Sequence, residues 1–416
     1  MRVKNLAVTL PGQRVGSISQ NRAGLTQWMP DEGWEANGQK PRLGLDFLRR
    51  LGPRSHASDL PAWFENLLPE RESPLRLRLS QLYNLREGQS FELLKAVGHD
   101  LIGAVEVKPS DGAYQDELPR AVADKDGSEG ELKLDRLSAL TGMQLKFSMS
   151  MVNERLVLSA KSNSSSWIVK LAGAEYDELA EVEHTTMTWA QHAGFSVPPC
   201  FVVPFDQLHG LPRDWVERPT PALAIRRFDR RADGSKIHQE DLCQALGIRS
   251  REKYGDQDSR IGFDGALRLV SDACGLEDGH EMARRIGFMI ASGNSDAHLK
   301  NWALLWGDRL RPRLAPCFDL VATVSWPSKL GWERRGGPRL ALHLGNESSF
   351  RNLSMLALDR LVASTSFTWA RSSILDGIER AKATWPEVEP SAPTRMRDAI
   401  LQHWEAVPLL ETVGLH

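Results

Sequence analysis

Three polar residues near position 300 constrain the fold of this chain more than any other feature. Asn301 lies five residues after Asp296, and Asp319 lies eighteen residues after Asn301. The apolar run 286–291 precedes this group and predicts a helix that ends in a polar turn at 292–298. The apolar residues that follow predict a short β-hairpin (302–306 and 310–316), which would end close to Asp319.

This spacing is the one that a phosphoryl-transfer enzyme of the protein-kinase type requires. Asp296 would accept or orient the proton of the attacking hydroxyl, while Asn301 and Asp319 would hold the magnesium ions that neutralise the nucleotide phosphates. The alternative is structural, because Asp and Asn side chains commonly cap turns and helix starts in loops. The second aspartate and the density of polar residues at 292–298 favour an active site.

Composition and length indicate a multidomain globular protein. The 416 residues are 41% apolar and 25% charged with a net charge of −2, which gives no global electrostatic case for binding nucleic acid. The four cysteines are scattered, without the close spacing of zinc sites, and we expect them to be reduced. We find no signal-peptide pattern and no apolar run long enough for a bilayer, so we expect a cytoplasmic protein without a membrane partner.

The order of the predicted elements favours an α+β, two-lobed, protein-kinase-like fold with an extra N-terminal β-rich subdomain and a mostly helical C-terminal lobe. Within this pattern we predict a strand at 101–107 and helices at 178–193 and 239–247. The predicted divisions are an N-terminal subdomain (1–112), a linker (113–135), an ATP-binding small lobe (136–230) and a helical large lobe (231–416).

A nucleotide site in the small lobe would need a loop over the phosphates and a strand lysine. The candidate loop runs from Thr141 to Lys146, where Gly142 permits close backbone approach, although a glycine between strands is often only a turn. Lys170 ends an apolar strand and would need an anion, such as phosphate or Glu183 (or Glu181). The alternative is a lysine that extends into solvent.

A connector follows the last strand of the predicted small lobe. The apolar residues of 224–225 lead into Arg226, Arg227, Phe228 and Asp229, which is typical of a hinge whose backbone pairs with adenine. Phe228 would then lie against the adenine ring and Asp229 near the ribose. An ordinary solvated turn is the alternative. His298 would contact nucleotide or serve as a structural loop histidine.

Several motifs together resemble the HipA family of bacterial toxin kinases. The resemblance covers nearly the whole chain and is most specific at 293–301. Its motifs are Gly142-Met143-Gln144-Leu145-Lys146, Trp167-Ile168-Val169-Lys170, Arg227-Phe228-Asp229-Arg230, Gly293-Asn294-Ser295-Asp296-Ala297-His298-Leu299-Lys300-Asn301, Phe318-Asp319 and, in the N-terminal region, Asn66-Leu67-Leu68-Pro69-Glu70.

The resemblance implies a serine/threonine kinase that uses ATP and Mg²⁺. Its substrate would be an aminoacyl-tRNA synthetase such as glutamyl-tRNA synthetase, and the result would be arrested translation, growth arrest and persistence. A HipB-like helix-turn-helix antitoxin would bind the kinase, and operator DNA would be reached only through that complex. The resemblance also implies the catalytic residue Asp296, the metal ligands Asn301 and Asp319, and ATP contacts from Thr141, Gly142, Met143, Gln144, Leu145, Lys146, Lys170, Arg226, Arg227, Phe228, Asp229, His298, Lys300, Asn301, Phe318 and Asp319.

The chain departs from the family pattern at two places. Arg226 stands where members often have glutamate, and Ala139 stands at the position of an inhibitory autophosphorylated serine. Either Ser138 is the autophosphorylation residue instead, or this self-inhibition is missing. These departures keep a second hypothesis open: a catalytically weak nucleotide-binding subunit that acts mainly as corepressor with its antitoxin. A small-molecule kinase of related fold is a third.

Overall fold

A computed structural model describes the chain from residue 4 to residue 413. The described ranges are 4–56, 60–86, 88–110, 144–153, 155–158, 165–173, 176–211, 216, 218–255, 261–308, 310–328 and 337–413. The predicted linker 113–135, the loop residues Thr141, Gly142 and Met143, and Ser138 lie outside the described residues.

The N-terminal region begins with a β-hairpin, in which the first two strands pair antiparallel. Its strands are β1 (Lys4–Leu10), β2 (Gln13–Gln20), β3 (Thr26–Pro30), β4 (Arg54–His56) and β5 (Glu106–Pro109). Its helices are α1 (Glu32–Ala36), α2 (Leu45–Arg49), α3 (Ala62–Glu65), α4 (Pro74–Leu82) and α5 (Ser90–Val97). The strands form one sheet in the order β4-β3-β2-β1-β5. Alternate residues of β1 (Leu6, Val8 and Leu10) are buried, as expected for a strand with one covered face.

The middle of the chain supplies a second sheet. Its elements are β6 (Leu145–Val152), β7 (Arg155–Leu158), β8 (Trp167–Leu171), α6 (Leu179–His192), β9 (Cys200–Val203), β10 (Leu208–His209) and β11 (Ala222–Arg226). Five of the strands are neighbours in the order β10-β7-β6-β8-β11. Helix α6 confirms the helix predicted at 178–193 within one residue at each end.

The remainder of the chain is mostly helical. Its strands are β12 (His238–Asp241), β13 (Ala303–Trp306), β14 (Arg313–Leu314), β15 (Arg339–Leu344) and β16 (Glu347–Ser349). Its helices are α7 (Leu242–Leu246), α8 (Phe263–Cys274), α9 (Leu276–Ala291), α10 (Met355–Thr365), α11 (Ala370–Val388), α12 (Thr394–Ala406) and α13 (Pro408–Thr412). Short 3-10 helices lie at Phe205–Gln207, Ser250–Glu252, Leu299–Asn301, Thr323–Ser325, Phe350–Asn352 and Glu389–Ser391.

The chain divides into two compact units, and each unit is built from three segments. Unit 1 comprises Met1–Gly173, Val203–Ser250 and Leu305–Leu310, and unit 2 comprises Ala174–Val202, Arg251–Leu304 and Arg311–His416. An aromatic cluster that includes Trp28, Phe47, Trp63 and Phe64 lies in the core of unit 1, with ring centroids 5.1–6.0 Å apart. In unit 2, Trp189 packs against Phe288 and Trp385.

Two predicted elements differ from the observed ones. The segment 101–104 is turn, not strand, and β5 begins only at Glu106. The carbonyl oxygens of Leu101 and Gly103 instead accept hydrogen bonds from arginine side chains. Similarly, 238–241 is a strand, and α7 starts after it because the Asp241 side chain accepts a hydrogen bond from the Gln244 backbone N–H in a capping box.

Two further observations concern the cysteines and the helices. All four cysteines have free thiols, with Cys243 and Cys317 buried. Among the described residues, no helix is both long and apolar enough to cross a bilayer.

Candidate active site

The loop that carries Asp296 begins at Ser292, directly after α9 ends at Ala291. Gly293 has a φ of +62°, and a Cβ there would meet a methyl group of Val324 at 2.5 Å, so glycine is required. The buried side chain of Asn294 then accepts a hydrogen bond from the Asp296 backbone N–H at 2.9 Å. The sharp reversal of the chain therefore follows from two adjacent residues of the predicted motif.

A second set of hydrogen bonds fixes the loop to the segment that follows Asp319. The Thr323 hydroxyl donates to the Gly293 carbonyl oxygen at 2.9 Å and accepts from the Ser295 backbone N–H at 2.7 Å. The loop of Asp296 and the chain downstream of Asp319 are thus one hydrogen-bonded assembly within unit 2.

Asp296 lies at the solvent-accessible centre of this assembly. Its side chain is 48% exposed, and its Oδ1 accepts a hydrogen bond from the Tyr254 hydroxyl at 2.8 Å. The Nε2 atom of buried His298 lies 3.9 Å from the same oxygen. An exposed carboxylate held by fixed neighbours is suited to accept a proton from a bound hydroxyl.

Asn301 is attached directly to the backbone of Asp296. Its Nδ2 donates to the Asp296 carbonyl oxygen at 2.7 Å, and this bond leaves the amide Oδ1 as the side chain's acceptor atom. The 3-10 helix Leu299–Asn301 places Lys300 and Asn301 in buried positions.

Asp319 follows the second strand of the predicted hairpin and has an unusual backbone. Its φ is +53°, in the left-handed region that a non-glycine residue rarely adopts. Phe318 and Leu320, on either side of it, line one small cavity together with Asn301. The structure therefore brings the Asn301 and Asp319 segments together, and a strained backbone at such a place is typical of functional residues.

In unit 1 the structure places two candidate lysines directly opposite each other. The antiparallel strands β6 and β8 pair Lys146 with Lys170, so both side chains project from the same face of the sheet. Lys146 is 8% exposed and Lys170 4%. Two buried lysines at adjacent positions concentrate positive charge on this face of the sheet, where an anion is favoured.

The other candidate residues of unit 1 lie at the ends of these strands. Gln144 and Leu145 are half-buried at the start of β6, and Arg226 is exposed at the end of β11. Phe228 is half-buried. Glu183 is buried on α6, and its predicted pairing with Lys170 stays a prediction.

The role predicted for the side chains of Arg227 and Asp229 requires a correction. We expected them at the nucleotide, but the Asp229 carboxylate is buried and accepts hydrogen bonds from both Arg227 and Arg230 and from the Gly103 backbone N–H. Burial alone would raise the pKa of Asp229, but the two guanidinium groups lower it to about 2. A carboxylate that accepts four hydrogen bonds in this way is part of a structural ion-pair network, so any nucleotide contact of Arg227 and Asp229 would come from their backbone.

The same buried network contains residues that our sequence analysis did not single out. Arg230 also pairs with Asp100 at 3.1 Å, and Arg227 donates to the Leu101 carbonyl oxygen. The charges at 227, 229 and 230 were visible in the sequence, but their partners lie more than a hundred residues earlier. Tyr254 was also missed, because nothing in the sequence links it to Asp296.

Comparison with known proteins identifies the fold. A chain of the solved complex of HipA, HipB and operator DNA from the toxin–antitoxin system of Shewanella oneidensis MR-1 superposes with a TM-score of 0.71. It is 18% identical in sequence, and the match covers 98% of this chain and 99% of that one. The α+β fold is therefore that of the HipA-like proteins, which confirms the predicted fold class.

Sequence comparisons then identify the family. Family models for the HipA N-terminal domain and the HipA-like C-terminal domain match residues 6–108 and 138–387. A Sinorhizobium fredii (strain NBRC 101917 / NGR234) protein named "Putative kinase Y4dM" is 31% identical over 98% of both chains. The serine/threonine-protein kinase toxin HipA of Shewanella oneidensis MR-1 is 26% identical over 64% of both chains. The chain belongs to the HipA family.

Proposed function

We propose that this chain is the serine/threonine protein kinase toxin of a HipBA-like toxin–antitoxin module. Family membership and the names of the two relatives support kinase chemistry. The observation that carries the proposal is the arrangement of the Asp296 loop, in which an exposed carboxylate is tied through its own backbone to Asn301.

Asp296 acts on the acceptor hydroxyl. A serine hydroxyl of the protein substrate hydrogen-bonds to the carboxylate and attacks the γ-phosphorus of ATP. The new bond joins the serine oxygen to phosphorus, the bond from the γ-phosphorus to the β–γ bridging oxygen breaks, and ADP leaves. The serine proton passes to Asp296.

The residues present fit a magnesium ion. Mg²⁺ prefers oxygen ligands and commonly uses one or two protein side chains, with water and phosphate completing the shell. The amide oxygen of Asn301 and the carboxylate of Asp319 are such a pair, on segments that line one cavity. When bound, magnesium would neutralise the phosphate oxygens.

The paired lysines of β6 and β8 are the predicted phosphate ligands of unit 1. Buried ammonium groups at Lys146 and Lys170 would attract the anionic phosphates. The remaining assigned ATP contacts (Thr141, Gly142, Met143, Gln144, Leu145, Arg226, Phe228, His298, Lys300 and Phe318) follow from the family resemblance.

The partners follow from the family as well. The matched solved chain comes from a complex with HipB and operator DNA, and we propose that a HipB-like antitoxin binds this chain and carries the complex to its operator. We propose an aminoacyl-tRNA synthetase, such as glutamyl-tRNA synthetase, as the substrate. Its phosphorylation would inhibit translation and cause growth arrest and persistence.

The test is transfer of labelled phosphate. Purified chain, γ-labelled ATP and Mg²⁺ are incubated with glutamyl-tRNA synthetase and, separately, with a cell extract. Asp296→Asn should lower transfer by roughly 10²–10⁴-fold, and Asp319→Asn should raise the magnesium requirement and reduce transfer strongly. Asp359→Asn, on the exposed surface of α10, is the matched control and should be as active as the wild type.

Each unfavourable outcome has a distinct meaning. Equal labelling by wild type, Asp296→Asn and Asp319→Asn would refute the site. Binding of ATP in calorimetry without transfer to any protein would favour the corepressor hypothesis. Labelling of another protein in the extract, with the synthetase unlabelled, would keep the kinase and reject the substrate.

A further inference from the structure

Tyr254 contacts the proposed catalytic carboxylate directly, although 42 residues separate them in sequence. Its hydroxyl donates to Asp296 Oδ1 at 2.8 Å. Hydrogen bonds to charged groups are the stronger ones in proteins. The tyrosine therefore restricts the orientation of the carboxylate that has to meet the substrate.

Two further contacts involve the Tyr254 ring, and a third fixes the backbone beside it. The ring of His298 lies edge-on at a centroid distance of 5.1 Å, and the ammonium of buried Lys253 lies 5.1 Å from the Tyr254 ring centroid. The Lys253 carbonyl oxygen accepts a hydrogen bond from the Leu299 backbone N–H at 3.0 Å. Because Leu299 belongs to the loop of Asp296, the backbone that carries Tyr254 is fastened to that loop.

These contacts favour orientation of the carboxylate over blockage. The Asp296 side chain remains 48% exposed despite the hydrogen bond, so the carboxylate is still accessible to a hydroxyl. The Lys253–Leu299 hydrogen bond joins the backbone beside Tyr254 to the loop, so the tyrosine and the carboxylate are carried by one connected backbone. We propose that Tyr254 is a positioning residue that holds the Asp296 carboxylate for the acceptor hydroxyl. This inference rests on the proposed kinase function.

The kinetic test compares Tyr254→Phe with Tyr176→Phe. Tyr254→Phe removes only the hydroxyl that donates to Asp296. We expect kcat to fall roughly 10-fold, which is the effect of one hydrogen bond to a charged group. KM for ATP should stay within about 2-fold, because an interaction that orients the proton acceptor does not bind nucleotide. Tyr176→Phe loses a hydroxyl elsewhere in unit 2, beside Trp326, and should match the wild type in both constants.

Other kinetic results would overturn the proposal. A higher kcat in Tyr254→Phe would mean that the tyrosine blocks the site. Phosphotyrosine at 254 in the wild type, detected by mass spectrometry, would mean that it is an acceptor. Unchanged kcat would mean that the hydrogen bond does not position Asp296.

A second measurement detects the hydrogen bond between Tyr254 and Asp296 without relying on enzyme activity. The four tyrosines are replaced by 3-fluorotyrosine, and the Tyr254 resonance is assigned by its loss in Tyr254→Phe. It should shift in Asp296→Ala and not in Asp359→Ala. If no shift occurs, the contact does not exist in solution and the positioning role is refuted. If the wild type transfers no phosphate while the shift occurs, the kinase function fails and the contact stands.

Discussion

At the scale of single residues, the strongest electrostatic feature is the buried group Asp100, Arg227, Asp229 and Arg230. All four side chains are at most 5% exposed. Removing one member of a buried ion pair leaves an uncompensated charge, which is far costlier than losing a surface pair. The segment that follows β11 is therefore held by polar groups of residues 100–103.

We predict that Asp229→Asn lowers the free energy of unfolding by about 3–5 kcal/mol. Asp359→Asn is the matched control, because it breaks a solvent-exposed pair with Arg371 and should cost no more than about 1 kcal/mol. Chemical denaturation of both variants measures the difference. Equal, small losses would contradict the view that the Asp229 network stabilises unit 1.

Glu240 provides a prediction of pH dependence. Its carboxyl is buried in unit 1 and accepts hydrogen bonds from the Leu45 backbone N–H and the Trp63 indole. Burial raises the pKa of Glu240 to about 8, against the opposing effect of these donors. The native state thus keeps a proton that the unfolded chain releases above pH 4.5, so this residue's contribution to stability is lost as pH rises toward 8.

We therefore predict that wild type loses stability relative to Glu240→Gln as pH rises from 5 to 8. The slope of the difference approaches about 1.4 kcal/mol per pH unit for one proton. Unfolding midpoints of both proteins across this range measure it. A difference that stays constant with pH would show that the carboxyl ionises normally in the folded chain.

Sequence reasoning identified the residues of the Asp296 loop but not their long-range contacts. Spacing alone singled out Asp296, Asn301 and Asp319, because loop, hairpin and second aspartate are local in sequence. It placed the side chains of Arg227 and Asp229 wrongly, since their partners at 100–103 come from a distant turn. A hydrogen bond such as the one from Tyr254 has no local signature.

At the scale of elements, helices α9 and α11 of unit 2 pack closely against each other. A Cβ on Gly287 of α9 would meet the Ile374 carbonyl oxygen at 2.1 Å, and a Cβ on Gly377 of α11 would meet the Arg284 carbonyl oxygen at 1.9 Å. The two backbones approach so closely because each presents a glycine at the crossing. Helix α9 leads directly into the Asp296 loop, so this crossing also sets the position of that loop.

We predict that Gly287→Ala destabilises the protein by at least about 2 kcal/mol, because the helices must move apart. The control is Gly265→Ala on α8, where the added Cβ finds its nearest neighbour at 3.8 Å. That change should stabilise by up to about 1 kcal/mol, the difference in helix propensity between the residues. Thermal unfolding of both variants gives the comparison, and destabilisation of equal size by both would refute the packing argument.

The predicted secondary structure was most accurate for long helices in which the apolar pattern repeats over many turns. Helix α6 lies within one residue of its predicted ends, and α9 ends at Ala291, directly before the polar turn predicted at 292–298, because many turns of each helix share one apolar face. The predicted strand 101–107 and helix 239–247 were wrong in part. Their ends are determined by side-chain hydrogen bonds from Arg227 and Arg230 and by the Asp241 cap, which outweigh local apolar pattern.

At the scale of the whole molecule, the N-terminal 110 residues share unit 1 with strands β6, β8 and β11. Asp100 pairs with Arg230, Leu45 and Trp63 hold Glu240, and the Asn66 amide donates to the Ile248 carbonyl oxygen. These contacts are buried or partly buried. The predicted N-terminal subdomain therefore packs into the same unit as Lys146 and Lys170.

We predict that a chain without residues 1–110 fails to fold unit 1. Arg227 and Arg230 would lose their partners at 100–103, and Glu240 would lose both of its donors. Size-exclusion chromatography and circular dichroism should show aggregation or loss of β-structure. A monomeric truncated chain with cooperative unfolding would demonstrate that the rest of unit 1 is independent.

Because segments of the two units alternate along the chain, neither unit is complete until late in translation. Unit 1 is completed only by Leu305–Leu310, where Trp306 is buried and lines one small cavity with His238. A nascent polypeptide that stops before codon 305 has finished neither unit, so translation that aborts early releases only incomplete products for proteases to clear. Neither unit of this chain can therefore act before translation has passed codon 310.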